Sequence, residues 1–239
     1  MRRSRCLARF VPVPPGTLGL PLRGRNRDES CLAPHGFTLI ELLAVLAIIA
    51  ILLVVLVPRL SKAGEIAEER FTKAYLTQLD TALAEYEQQM GDYPPSKMLE
   101  EWTGFAPGNT TNLGAEVLVL SLWSPKWGGT TLAEDRFVNT DEDDAKKPLA
   151  KFPKAALLEL RDEWGNPIAY FHRRDYGRSD TYVTQDPSTG EEIESIAVAH
   201  KNEVTGSYFN PNRFQLISAG LDGQFGTGDD DIGNWEKPK

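Results

Sequence analysis

The chain has 239 residues, a quarter of them charged, and a formal net charge of −8. That length suffices for one ordinary domain with its own core plus an appended segment. The acidic balance argues against nucleic acid as a partner, because binding phosphates needs a basic surface.

The charge is unevenly placed. Residues 1–35 carry seven arginines (2, 3, 5, 9, 23, 25 and 27) against Asp28 and Glu29, a net of +5. Without them the chain holds 19 basic and 32 acidic residues, a net of −13. Next come Gly36 and residues 37–57, 21 positions with a single charge, Glu41. Such a stretch is long enough to cross a bilayer as a helix. A carboxylate inside it costs about 2.5–3.5 kcal/mol even on lenient insertion scales, so Glu41 points to a role beyond anchoring. The basic flank predicts an N-terminus in the cytoplasm and everything after Pro58 outside it. An ordinary secretory signal has small residues after its apolar stretch; here Pro58, Arg59 and Leu60 follow. Gly36, in front of the span, is the better candidate for cleavage, leaving the span on the mature chain. Both cysteines, Cys6 and Cys31, precede it. No disulfide then staples the exported part, even in an oxidising compartment.

The helical pattern continues past the span. Apolar or small residues recur at Ala63, Ala67, Phe71, Tyr75, Leu79, Leu83, Tyr86 and Met90, in steps of three and four. This predicts an amphipathic helix over 58–90 that continues the span, with Pro58 kinking or loosening it. Gly91 and the following Asp-Tyr-Pro-Pro stop it. Residues 113–122 read as a short second helix, with a strand as the alternative. Residues 124–151 read as a long loop. Its run Asp141-Glu142-Asp143-Asp144 lacks the glycine and closing glutamate of an EF-hand loop, and a solvated acidic loop is preferred over a cation site. Residues 152–161 are expected to form a short helix. Strand-like runs follow at 168–172, 181–184, 193–200 and 214–218, separated by turn residues. Helices first and strands last predict an α+β fold, with a small antiparallel sheet packed on the long helix.

Histidines 35, 172 and 200 show no metal-ligand spacing, and the last two read as surface or edge residues. The five tryptophans read as core or loop anchors. Neither a nucleophile elbow nor a P-loop is present, so no enzymatic activity is expected.

The C-terminal segment places Asp222, Asp229, Asp230 and Asp231 among Gly220, Gly223, Gly226 and Gly228. Hard divalent cations take several oxygens at once, and glycines let a backbone wrap around them. Adjacent carboxylates repel without such an ion, by about 1 kcal/mol per pair at 4 Å in water and about 4 at surface-like dielectric. A soluble acidic tail is the alternative.

Residues 35–43, His-Gly-Phe-Thr-Leu-Ile-Glu-Leu-Leu, resemble the class III signal of type IV pilins and type II secretion pseudopilins. The glutamate and proline of that signal fall on Glu41 and Pro58. Gly91-Asp-Tyr-Pro94, residues 162–170 and residues 218–235 resemble segments of the major, G-type, pseudopilin. The resemblance implies a pilin-like α+β fold with a C-terminal loop: a leader at 1–36, a transmembrane or filament-core helix at 37–57, and an extracytoplasmic domain at 58–239. It implies cleavage after Gly36 by a prepilin peptidase and methylation of Phe37. Glu41 would meet a neighbour's N-terminal amine during assembly; pairing with its own amine is the local alternative. It implies Ca2+ held by Asp222, Asp229, Asp230 and Asp231 in the last loop. The chain would wait in the bacterial inner membrane, domain in the periplasm, and enter a helical homopolymer. Minor pseudopilins, a platform protein and an assembly ATPase would be its other partners. Residues 96–160 and 172–212 exceed the usual core of that family. A type IV pilin for adhesion, motility or DNA uptake is one alternative; a membrane-tethered binding domain that never assembles is another.

Overall fold

The computed structural model describes residues 37–108, 110–129, 132–227 and 230–236; the side chains at 55, 58 and 60 are not described. The leader, Gly36, His35 and both cysteines lie outside the described residues. Two compact units divide at residues 50 and 51.

A single helix, α1, runs from Leu39 to Met90, through Pro58 without interruption. Its start is a capping box: the Glu41 amide donates to the Thr38 hydroxyl at 3.3 Å while the Glu41 carboxylate accepts from the Thr38 amide at 2.8 Å. Its end is the expected glycine stop. Gly91 takes φ 85° and donates its amide to the Glu87 carbonyl. In the first unit every described side chain is exposed.

In the second unit the later part of α1 supplies one wall of the core. Tyr75, Leu79 and Leu83 of the expected stripe are buried, joined by Thr72, Leu76 and Ala82, whereas Ala63, Phe71 and Met90, expected on the same stripe, are exposed. After α2 (Glu100–Thr103), α3 spans Leu113–Leu122 and is buried from Gly114 to Leu122. An all-round apolar helix of this kind belongs inside a core. Gly114 is needed there: a Cβ would come within 2.3 Å of the Tyr170 carbonyl oxygen.

The strands form three small antiparallel sheets. β1 (Phe137–Val138) pairs with β2 (Glu159–Leu160). β3 (Ala169–His172) pairs with β6 (Phe214–Ser218), Tyr170 opposite Leu216, and β6 pairs with β7 (Ile232–Gly233). β4 (Ser179–Gln185) and β5 (Glu192–Val198) form a hairpin. Tyr170, Phe214 and Leu216 share one cluster with Leu76, Leu79 and Leu83, so the central sheet packs on α1. The architecture is α+β and pilin-like.

Three expectations need correction. Residues 152–161 are not a helix. From 155 on they pair with 136–145: Ala145 donates to the Ala155 carbonyl, Asp144 bridges Ala156, and Glu159 and Leu160 pair with Val138 and Phe137. The run 141–144 is not simply solvated, because Asp141 and Asp143 are half-buried. His172 is buried at 3 % exposure, where burial lowers its pKa against the opposing pull of Asp92. Strand β7 has too short an apolar run to be seen in the sequence.

Candidate functional site

Two regions carry the residues singled out from the sequence. At the N-terminal end, Phe37 is 83 % exposed and directly precedes the capping box. The Glu41 carboxylate is exposed and, among the described residues, is held by Thr38, through its amide at 2.8 Å and its hydroxyl at 2.7 Å. Leu39, Ile40, Leu42 and Leu43 around it are all exposed. Four large aliphatic side chains within five residues thus form an exposed apolar face among the described residues. Among the described residues, no helix is long and apolar enough to cross a membrane. The described side chains run unbroken only to residue 54. At Pro58 the neighbouring Ser61 hydroxyl donates to the Val57 carbonyl at 3.3 Å.

The second region is the C-terminal loop. Asp222, Asp230 and Asp231 line one cleft of about 920 Å3, together with Trp164, Trp235 and α1 residues including Lys73. Asp229 lies outside the described residues. Each of the other three carboxylates already accepts hydrogen bonds. Asp222 takes the Gln224 amide and the Thr227 hydroxyl, at 2.8 and 2.6 Å. Asp230 takes the Asp222 amide at 2.9 Å. Asp231 takes the Gly226 amide at 2.8 Å and lies 3.2 Å from His200 Nε2. Among the described residues these three do not converge on one point. One oxygen stays orphaned: Asp231 Oδ1 is buried with no hydrogen-bond partner. A buried carboxylate oxygen in that state is costly, and a hard cation satisfies it. The carboxylates are oxygen donors of the kind calcium takes, but among the described ones only Asp231 Oδ1 is left without a partner.

The loop is held in place by a buried carboxylate, a glycine turn and a histidine. Asp162 is fully buried and accepts from the amides of Trp164 and Asn166 and from the Ser218 hydroxyl, at 3.0, 2.9 and 2.7 Å. Burial pushes its carboxyl up to about 6, against those hydrogen bonds. It joins the turn before β3 to the end of β6, where the loop begins. Gly220 at φ 68° lets the chain turn there; a Cβ would meet the Asp230 backbone at 2.4 Å. His200 pairs with Asp231, and its ring lies 5.4 Å from that of Trp235. The Asp-x-Trp-Gly-Asn turn chemistry around Asp162 was visible in the sequence; the His200 contact, 31 residues away in the chain, had no local signal.

Residues 33–57 match the family model described as the prokaryotic N-terminal methylation motif. No curated protein and no solved structure matches the chain. Motifs of this kind accompany membrane-anchored, envelope-associated, pilin-like proteins that are processed by a prepilin peptidase, assemble into filaments and are generally not enzymes. The motif at 33–57, in front of a long helix carrying a small antiparallel sheet, supports a prepilin-type, type IV pilin-like protein.

Proposed function

We propose that the chain is a structural subunit of a type II secretion pseudopilus. It is inserted in the inner membrane through residues 37–57, domain outward, cut after Gly36 and methylated at Phe37. It then enters a helical filament, with minor pseudopilins, an assembly ATPase and a platform protein as partners. The observation that carries this reading is the methylation motif at 33–57. The exposed apolar helix turn around Glu41 supports it. A bare apolar helix needs lipid or other subunits around it, and a filament core supplies the second. The Glu41 carboxylate, held only by its capping contact, is available to a neighbour's N-terminal amine, and an ion pair is what makes such burial tolerable.

Calcium belongs to the same reading. Asp222, Asp229, Asp230 and Asp231 would hold the ion, which would supply positive charge to a glycine-rich loop and fix its path. The orphaned Asp231 oxygen supports this. Limited proteolysis tests it locally: added calcium is expected to protect residues 220–236 from cutting, and equal cutting with and without the ion removes the loop site.

The decisive experiment is an intact-mass spectrum of the native protein. A chain beginning at N-methylated Phe37 is expected. An unprocessed N-terminus overturns the reading. Imaging then separates the two kinds of filament: an extracellular fibre favours a type IV pilin, a short periplasmic one the pseudopilus.

A further inference from the structure

We propose that Glu116, Asp141 and Glu159 form a second divalent-cation site, of calcium chemistry, inside the domain and apart from the C-terminal loop. One carboxylate oxygen from each lies within 4.8 Å of the others. Two oxygens bound across a calcium ion at 2.3–2.6 Å stand about that far apart. Glu116 sits in the first turn of α3, 1 % exposed, and its Oε1 is buried with no hydrogen-bond partner. Glu159 on β2 is fully buried. Asp141 is half-buried, and nearby amides approach its carboxylate without forming a full hydrogen bond.

The surroundings are those of a ligand site. Asn112 holds φ 54° and is buried; its Nδ2 donates to Glu159 Oε1 at 3.2 Å and to the Thr140 hydroxyl at 2.8 Å. The Thr140 amide donates to Glu159 Oε2 at 3.2 Å. Asn112 is itself fixed from the other side, accepting from the Val183 amide and donating its own amide to the Thr181 carbonyl. Such outer contacts orient a ligand and leave its remaining lone pairs for a metal. No lysine or arginine among the described residues pairs with any of the three acids. Asp143 lies close by and adds further negative charge. Buried like charges with no cation are expensive, and a divalent ion is the group that reverses the sign. The ligands are all oxygen, which selects hard cations over zinc or copper.

The three acids come from segments 43 residues apart in the chain, so the ion would clamp the 139–159 excursion onto α3. The test uses the full chain in detergent, stripped with EDTA and titrated with CaCl2, counting ions by native mass spectrometry and affinity by calorimetry. Glu116→Gln is expected to lose one ion and its share of the calcium-induced rise in melting temperature, while Asp231→Asn keeps that ion. Asp141→Asn, at the least buried of the three positions, is expected to bind at this site at least about tenfold more weakly. It keeps the test valid if Glu116→Gln does not fold. Unchanged ion count and affinity in Glu116→Gln and Asp141→Asn overturns this site and leaves the C-terminal loop standing. Calcium lost only in Asp231→Asn does the same, and no binding by the unaltered chain overturns both.

Discussion

Residues 39–54 and residues 72–83 belong to the same helix, with the same backbone hydrogen bonding, and differ in almost everything else. Apart from Glu41, the first stretch is apolar on all sides, and it is exposed on all sides. The second is apolar on one stripe, and that stripe is buried. Helix formation is thus not what the apolar residues of the first stretch serve. In the second they serve the fold. In the first, on the reading proposed above, they await lipid or neighbouring subunits.

The comparison can be broken or sharpened by substitution. The largest effect is expected at Leu79, which has no exposed surface. Leu79→Ala should cost about 2–5 kcal/mol, read as a lower melting temperature of the domain, because a cavity adds to the lost transfer energy. A shift as small as that of a surface substitution would mean that the stripe is not the core. Next comes Asp162, which shapes the turn that donates the Glu163 amide to the Thr72 hydroxyl on the buried stripe. Its folded value of about 6 exceeds an unfolded carboxyl of about 3.9. The folded state therefore binds the proton more tightly. This contribution is complete below about pH 4 and is lost as pH rises through about 6, a change of about 2–3 kcal/mol. Asp162→Asn should flatten stability across that window; denaturation at pH 4 and pH 7 checks it. Removing the capping box with Thr38→Ala should cost the start of the helix about 1 kcal/mol, seen as faster amide exchange over residues 39–43 and little change in the domain. The smallest effect on stability is expected from Leu46→Ala, within about 0.5 kcal/mol. Its effect on filament yield should be far larger, and a variant normal in both assays would deny the exposed stretch any partner. Glu41→Gln should likewise leave cleavage after Gly36 intact and reduce assembly.

The sequence made the long helix legible because its pattern is local: a 21-residue apolar run, then a three-and-four stripe, then Gly91. The Thr38-x-x-Glu41 spacing is also a local capping-box signal at the start of the helix. The helix at 113–122 and the strands at 168–172 and 214–218 were legible for the same local reason. The segment 152–161 was not, because its conformation is set by pairing with the distant segment 136–145 rather than by its own residues. The acidic regions show the same division. Glycines interleaved with Asp222 to Asp231 gave a local signal for a loop. Glu116, Asp141 and Glu159 stand too far apart in sequence to give any, and only the folded chain brings them together. Burial is a property of the whole fold, and for that reason the run at 141–144 read as solvent-facing.

Asn234 shows what such distance implies for making the protein. Its side chain donates to Asp80 on α1 at 3.0 Å and accepts from the Leu216 amide, while Arg213 holds the other Asp80 oxygen at 2.6 Å. Asp80 and Asn234 are 154 positions apart. Contacts of that separation form late, because the intervening chain must first be ordered. A chain threaded N-terminus first shows Asp80 long before Asn234, so the core wall of α1 waits open until the closing segment follows. Pulse-labelled hydrogen exchange should find the β7 amides among the last to gain protection.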